Sequence, residues 1–142
     1  GKMSHCRELD ITFELDPSSS VPVTSAFLSG NAFVTLVGNL VENAIEAVNF
    51  KKKGDGERIV TLMVQEDERG LFISVDDTGE GMTPEEIERM QKGGFSTKGR
   101  HRGTGMKLIH SVLELSDGVM EIDSEKGIGT NISVSFNRRN NS

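Results

Sequence analysis

One stretch in the first half of the chain decides its fold, and it reads Gly38-Asn39-Leu40-Val41-Glu42-Asn43-Ala44-Ile45-Glu46-Ala47. Apolar residues recur at helical spacing across this stretch and its flanks, which predicts an amphipathic helix over residues 31–49. Four polar residues, Asn39, Glu42, Asn43 and Glu46, are spaced i, i+3, i+4 and i+7, so they share one face of the predicted helix.

Two interpretations of this polar face remain open. Glu42 and Glu46 suit the solvated side of an amphipathic helix that has no further function. Asparagine in mid-helix competes with the backbone for hydrogen bonds, so Asn39 and Asn43 indicate a use outside the helix. An amide oxygen and carboxylates on one face are suited to hold Mg²⁺ and to orient a phosphate or a water.

A second polar motif directly follows a predicted strand and reads Asp76-Asp77-Thr78-Gly79-Glu80-Gly81-Met82. Aspartate and glycine are common in turns, so one interpretation is a simple turn. The other is that Asp77 points into a pocket and accepts a hydrogen bond from the exocyclic amine of a purine. In that case Gly79 and Gly81 would let the backbone approach the ring closely.

A third motif is a glycine-rich segment that leads into a predicted helix, and it reads Gly93-Gly94-Phe95-Ser96-Thr97-Lys98-Gly99-Arg100-His101-Arg102-Gly103-Thr104-Gly105. Backbone amides in such a turn at a helix N-terminus form an anion site. The spacing matches neither a P-loop nor a dinucleotide fingerprint. Residues 89–113 include six lysines and arginines and no acid, which favours a phosphate site over a flexible loop.

The remaining periodicities predict the architecture. Alternating apolar residues predict strands over 9–15, 60–64, 71–75, 119–123 and 130–136. Besides the helix over 31–49, we expect a short helix that is capped by Thr83, Pro84 and Glu86 and ends near Gly93, and another over 104–115 that Gly118 ends. Its expected apolar side is Met106, Leu108, Ile109, Val112, Leu113 and Leu115. These elements predict an α/β (α+β) two-layer sandwich, in which a mixed, mostly antiparallel sheet of about five strands is covered on one face by about three helices.

Composition limits the class of protein. The chain has 142 residues, with 16 lysines and arginines against 22 aspartates and glutamates, for a net charge of −6. Its length suits one domain, and its acidic balance argues against a general binder of nucleic acid or of anionic membranes. A single cysteine, Cys6, excludes an intrachain disulfide framework and a cysteine-rich zinc site, and it fits a reducing cytosol. No apolar run approaches the roughly 18 residues of a membrane span.

Together with Gly127-Ile128-Gly129-Thr130, these motifs resemble the N, G1, F and G2 boxes and the terminal strand of one family. That family is the ATP-binding domain of two-component sensor histidine kinases, which has the Bergerat (GHKL) fold. The resemblance covers roughly residues 8–137, and we expect the flanks, 1–7 and 138–142, to be disordered. The residues of the first and third motifs are most similar to those of the citrate and C4-dicarboxylate sensor subgroup.

The resemblance implies a set of site residues for ATP and Mg²⁺. Asn43 would ligate the Mg²⁺ that bridges the phosphates, and Asp77 would bind the adenine amine with support from Thr130. Residues 95–103 would form a mobile lid in which Lys98 and Arg102 neutralise phosphate charge. The other implied nucleotide contacts are Ala47, Gly79, Gly81, Met82, Phe95, Ser96, Thr97, Gly103, Thr104, Gly105 and Met106.

Three positions depart from relatives of the same fold. Asn39 stands where hydrolytic branches of the fold carry a water-activating glutamate, which favours phosphotransfer over hydrolysis. Glu42 could instead polarise the acceptor histidine, so Asn39 and Glu42 are the candidate catalytic residues. Glu46 replaces a lysine of many sensor kinases, and Met106 replaces a leucine.

The implied activity is transfer of the ATP γ-phosphoryl to a histidine on a dimerisation hairpin. None of His5, His101 and His110 lies in the family's acceptor motif, so we expect the chain alone to bind ATP-Mg²⁺ without autophosphorylation. The implied partners are that upstream hairpin and a response regulator receiver domain, with no nucleic acid. We expect the isolated domain to be monomeric and cytoplasmic, within a homodimeric full-length protein anchored in a bacterial membrane.

Two alternatives stay open. A serine kinase of the anti-sigma type has the same fold, but its N box would be expected to carry glutamate at the position of Asn39. A non-catalytic nucleotide-binding module could regulate a partner through ordering of the lid. The unusual Glu46 keeps this second alternative open, whereas intact Asn43 and Asp77 argue against it.

Overall fold

The structure is a computed structural model that describes residues 11–17, 19, 25–49, 56–93 and 100–137, with the backbone alone for residues 93 and 100–105. Over these residues the chain forms five strands and three helices. In chain order they are β1 (Thr12–Leu15), α1 (Gly30–Asn49), β2 (Ile59–Glu66), β3 (Gly70–Asp77), α2 (Pro84–Gly93), α3 (Arg100–Ser116), β4 (Val119–Glu125) and β5 (Gly129–Asn137).

The strands form a single sheet in the order β1-β2-β3-β5-β4. β1 is parallel to β2, and α1 provides the crossover that such a parallel pair requires. The three other pairs are antiparallel. The prediction of a mixed, mostly antiparallel five-stranded sheet with three helices is therefore confirmed. The predicted start of the first strand, at residues 9 and 10, lies outside the described residues.

The helices cover one face of the sheet. α1 packs on β2, on β3 and against α3, and α2 contacts α3 and β4. Alternate side chains of the central strands point toward these helices and are buried, namely Val60, Val64, Leu71, Ile73, Val75, Ile132, Val134 and Phe136. The buried residues that the helices contribute to the same core are Leu36, Leu40, Val41, Ala44, Ile45, Val48, Met106, Ile109, Val112 and Leu113. No helix in the described ranges combines the length and the hydropathy of a membrane span.

The buried side of α3 is narrower than its sequence predicts. Met106, Ile109 and Leu113 are buried, but Leu108 is 44% and Leu115 is 88% exposed, so the prediction that these two leucines belong to the apolar side was wrong. Helical periodicity places them on a different stripe from the core residues, and the single contact face against α1 does not extend that far. Val34 of α1 is exposed for the same reason.

The start of α3 differs from the prediction, and at its end a different residue takes the left-handed conformation. The helix begins at Arg100 rather than Thr104, because a helical glycine costs only about 1 kcal/mol and the core-facing residues further along outweigh it. At the other end Asp117, not Gly118, adopts the left-handed conformation, with φ of 61°. The Gly118 amide donates a 2.8 Å hydrogen bond to the Leu113 carbonyl, as in a Schellman motif. Gly118 is needed because a Cβ there would overlap the Phe136 ring.

Candidate nucleotide-binding site

A small cavity lies where the second half of α1 meets the ends of β3 and β5. Its volume is about 20 Å³, which is enough for one water. It is lined by Asn43, Ala47, Asp77, Glu80, Gly81, Met82, Met90, Thr130 and Ile132. Six of these residues are among those that the resemblance implied, and the structure brings them together from three separate segments of the chain.

Sheet register places the two polar strand residues of this cavity. Asp77 is the last residue of β3 and pairs with Thr130 of β5. Because side chains alternate along a strand, both residues point to the helix layer, in line with Val75 and Ile132. Thr130 is buried, and the Asp77 Oδ1 accepts a 2.9 Å hydrogen bond from the Gly79 amide. The carboxylate is thereby oriented at the sheet end, next to the buried threonine.

Asn43 brings the amide group of α1 into the same cavity. It is only 3% exposed, and within the described part of the chain its Nδ2 atom has no hydrogen-bond partner. A buried polar group without a partner destabilises a fold by about 1–3 kcal/mol, so such a group calls for a functional explanation. The arrangement fits a polar ligand that enters the cavity and satisfies the amide.

The candidate metal ligand in this region is Asn43 rather than an acidic cluster. Among the residues that the structure describes, no group of three or more histidine, cysteine, aspartate or glutamate side chains is placed to hold a metal ion. An asparagine carbonyl oxygen is a suitable ligand for Mg²⁺, which usually keeps several waters and takes further oxygens from substrate phosphates. The donor set therefore fits a metal that arrives with a phosphate ligand.

Two glycines fix the loop that joins β3 to α2. A Cβ on Gly79 would lie 2.8 Å from the Ala47 carbonyl oxygen and 2.9 Å from the Asp77 Oδ1. Gly81 has a φ of 76°, and a Cβ there would overlap the Glu125 carbonyl. The loop is thus held between α1 on one side and the turn after β4 on the other, at distances that only glycine permits.

Ser124 of β4 is a site residue that the sequence did not reveal. Its Oγ accepts a 2.8 Å hydrogen bond from the Met82 amide and lies 2.7 Å from the Thr130 Oγ1. It also lies 3.1 Å from the Gly129 carbonyl oxygen, which it can donate to. One signal was available, since a hairpin centred on Gly127 pairs Ser124 with Thr130. Glu80, Met90 and Ile132 were missed as well.

The start of α2 ties the same loop to the β4–β5 turn. Thr83 and Glu86 form the predicted capping box, in which each backbone amide donates to the other side chain, at 3.0 and 3.2 Å. The hydrogen bond from the Thr83 amide, assisted by Lys126, holds the pKa of Glu86 below its ordinary value of 4.5, although partial burial opposes this shift. The Lys126 Nζ lies 3.7 Å from the Glu86 Oε1.

The two candidate catalytic residues lie on α1 outside the cavity lining. Asn39 is half-buried, and its Nδ2 donates a 2.7 Å hydrogen bond to the Thr35 carbonyl one turn earlier. Glu42 is half-buried and adjoins Asn43 in sequence. Their catalytic roles stay predictions.

The lid residues are described only in part. Phe95, Ser96, Thr97 and Lys98 lie outside the described residues, and Arg102, Gly103, Thr104 and Gly105 are described by their backbone alone, as part of α3. Because α3 begins at Arg100, the amides without a partner inside the helix are those of its first turn, so Gly105 lies beyond them. Met106 is 2% exposed and belongs to the apolar core. Nucleotide contacts of these residues stay predictions.

The sequence is similar to curated sensor kinases over almost its whole length. A probable C4-dicarboxylate sensor kinase of Halalkalibacterium halodurans is 34% identical over 135 residues, which cover 94% of this chain and 25% of that protein. The sensor protein CitS of Bacillus subtilis is 31% identical, and the sensor histidine kinase DcuS of Escherichia coli is 33% identical; each match covers 94% of this chain and 24% of the relative. The chain thus spans about a quarter of the length of these relatives.

Solved structures and a family model agree with the fold. A mycobacterial sensor histidine kinase, MprB, superposes with a TM-score of 0.71 at 20% identity and covers 97% of this chain and 90% of its own. Full-length ShkA in complex with AMPPNP superposes with a TM-score of 0.73 at 20% identity, over 94% of this chain and 27% of its own. A sequence model of histidine kinase-, DNA gyrase B- and HSP90-like ATPases matches residues 29–140. The resemblance inferred from the four motifs is confirmed, and the chain belongs to this family of ATPases.

Proposed function

We propose that the chain is the catalytic domain of a sensor histidine kinase, which binds ATP with Mg²⁺ and transfers the γ-phosphoryl group to a histidine. One observation carries the proposal: the buried Asn43 Nδ2, without a partner in the described residues, belongs to a side chain that shares a cavity with Asp77 and Thr130. The family membership and the similarity to sensor kinases supply the class of reaction.

The base end of the proposed site is formed by Asp77 and Thr130. A carboxylate accepts hydrogen bonds only, so Asp77 suits the exocyclic amine of adenine and disfavours the carbonyl that guanine carries at the same position. The Gly79 amide orients this carboxylate from the protein side. The closed cavity has space for about one water, so the base requires the neighbouring segments to open or to lie over its mouth.

Asn43 and the basic segment around residues 98–102 are the proposed contacts at the phosphate end. Asn43 would hold the metal through its amide, and Lys98 and Arg102 would neutralise phosphate charge. When bound, Mg²⁺ neutralises charge that develops on the phosphate oxygens during transfer. The contribution of the protein is mainly positioning and electrostatic stabilisation.

The choice between transfer and hydrolysis depends on α1. Asn39 offers a neutral amide whose Nδ2 is engaged with Thr35, so it is a poor base for activating water. Glu42, half-buried on the same face of the helix, is the candidate to polarise an acceptor histidine. That histidine would belong to a dimerisation hairpin outside these 142 residues. We propose a receiver domain as the next acceptor, a homodimeric full-length protein and a membrane anchor outside the domain.

The binding half of the proposal is tested by calorimetric titration of the chain with ATP in the presence and absence of Mg²⁺. Asp77→Asn should lose at least tenfold in ATP affinity, because a charged acceptor for the amine is replaced by a neutral amide. Asp76→Asn is the matched control, because Asp76 is the adjacent residue and lies on the opposite face of the sheet, bonded to Asn131. Equal affinities for both variants and the wild type would exclude the proposed adenine site.

The transfer half is tested by adding a dimerisation hairpin from one of the matched sensor kinases. The expected product is an acid-labile, base-stable phosphohistidine on the hairpin, with no label on the domain alone. An acid-stable phosphoserine on an added protein would favour the anti-sigma class. ATP binding without transfer to any hairpin would favour the regulatory module.

A further inference from the structure

We propose that Ser124 is a positioning residue for adenine binding, which acts by orienting the hydroxyl of Thr130 and by holding the loop that follows β3. The inference rests on the proposed function, since it assigns a role toward the base of the same nucleotide. Ser124 does not line the small cavity that Asn43 shares with Asp77 and Thr130, but with Asp77 and Thr130 it lines a larger cleft of about 510 Å³. Its effect on the small cavity is transmitted through the residues that it contacts.

The hydrogen-bond capacity of Ser124 is fully used by three neighbours. A serine hydroxyl has one proton and two lone pairs. The Met82 amide at 2.8 Å can only donate, so it takes one lone pair. The Gly129 carbonyl at 3.1 Å can only accept, whereas the Thr130 hydroxyl at 2.7 Å can do either. One proton and one lone pair of Ser124 therefore remain for Gly129 and Thr130.

Two arrangements of the protons are possible, and only the first satisfies all three contacts. In the first, Ser124 donates to the Gly129 carbonyl and Thr130 donates to Ser124, so Thr130 presents only lone pairs to the cavity. In the second, Ser124 gives up its hydrogen bond to the Gly129 carbonyl and donates to Thr130, so the Thr130 proton is released toward the cavity. Adenine has a ring nitrogen acceptor beside its amine, so a base whose amine is on Asp77 needs the second arrangement, directly or through one water. Ser124 thus provides a donor-oriented Thr130.

The same hydroxyl fixes the loop beside the base. Met82 follows Gly81, which packs on the Glu125 carbonyl one residue after Ser124. The Gly127 amide donates a 2.7 Å hydrogen bond to the Glu80 carbonyl. Ser124 and the turn after it therefore contact the loop at three consecutive residues, 80–82, and Ser124 is the side chain that joins this loop to Thr130.

The test is a double-mutant cycle with ATP affinity as its readout. We expect Ser124→Ala to weaken ATP binding by about tenfold, the effect of one hydrogen bond, and Thr130→Val to weaken it at least as much. In the Thr130→Val background, Ser124→Ala should have less than a twofold effect. Ser124→Thr, which retains the hydroxyl, should restore affinity to within threefold of the wild type. Ser135→Ala, on the opposite face of β5, is the control and should leave affinity unchanged.

A second readout needs no nucleotide. Hydrogen exchange of the Met82 amide should accelerate at least tenfold in Ser124→Ala and remain slow in Ser135→Ala. If Ser124→Ala does not fold, Ser124→Cys serves instead, because it keeps a side chain of similar size and weakens its hydrogen bonds. Its ATP affinity should likewise be lower than that of the wild type and of Ser135→Ala. Unchanged ATP affinity, or additive losses in the double variant, would overturn the positioning role. A wild-type chain that binds no ATP would instead refute the proposed function itself.

Discussion

The backbone amide of Gly127 donates a 2.7 Å hydrogen bond to the carbonyl oxygen of Glu80, which joins the β4–β5 turn to the loop between β3 and α2. Gly81, next to Glu80, packs directly on the backbone of Glu125. These contacts close one wall of the cavity without any apolar side chain. The wall depends on backbone geometry, and its sensitivity to substitution can be predicted from the conformation of each glycine.

Gly81→Ala should lower the free energy of unfolding by at least about 2 kcal/mol, because alanine is strained at a φ of 76° and its Cβ would overlap Glu125. Urea denaturation measures this change. Gly38→Ala is the control: Gly38 is helical and a Cβ there meets nothing within 4 Å, so stability should rise by about 0.5–1 kcal/mol. Equal stability of the two variants would contradict the described packing of the loop.

Asn43→Leu should raise the free energy of unfolding of the nucleotide-free chain by about 1 kcal/mol and abolish Mg²⁺-dependent ATP binding. Leucine has a similar volume and removes a buried Nδ2 that has no partner in the described residues. Denaturation without ligand and calorimetry with Mg²⁺-ATP measure the two effects. A loss of stability of 2 kcal/mol or more would show that the amide is a structural group, and the functional explanation would then be unnecessary.

Glu86→Gln should lower stability by about 1 kcal/mol at pH 7, since the capping carboxylate becomes a neutral amide. The pKa of Glu86 is lowered in the folded state, so its contribution to stability is present above 4.5 and is lost as the pH falls through the folded-state pKa. The stability difference between wild type and variant should therefore shrink below pH 4.5. Glu85→Gln, an exposed neighbour with the same charge change, should show less of this dependence.

Leu113→Ala should destabilise the chain by about 2–4 kcal/mol, whereas Leu115→Ala should change stability by less than about 0.5 kcal/mol. The two residues are the same type in the same helix, but Leu113 is 7% exposed and Leu115 is 88% exposed. Thermal or urea denaturation of both variants tests the orientation of α3. A large loss at Leu115 would mean that this leucine packs against another part of the protein.

The period of the apolar residues predicted the central strands and most of α1 well, because these elements bury one face against each other. It failed for Leu108 and Leu115, since an apolar pattern does not show how wide a surface the neighbouring helix offers. It correctly predicted that the helix ends before Gly118 but did not reveal that a Cβ there would overlap the ring of the distant Phe136. Local propensity cannot register a constraint imposed by a residue that is close only in the folded state.

The candidate site could be predicted where its chemistry is unusual for its local structure. Asn43 in mid-helix and Asp77 before two glycines are poor choices for a helix and a strand end on their own, so they signal a use. Ser124 gave no such signal, because serine is common at strand ends and in turns. Its position became meaningful only with the register that pairs it with Thr130. The predicted contacts of the basic segment with phosphate involve residues 94–99, which lie outside the described ranges.

The strand order places the cavity among segments that are far apart along the chain, from Asn43 to Thr130. Contacts between residues so distant in sequence form slowly, so the cavity should be among the last features to form during folding. It should also be absent from every fragment that lacks β5. A ligand that binds there recognises only the completed fold. At a free concentration one hundred times its Kd, it would add about 2.7 kcal/mol to global stability. Nucleotide binding would therefore act as a check on complete folding of the whole domain.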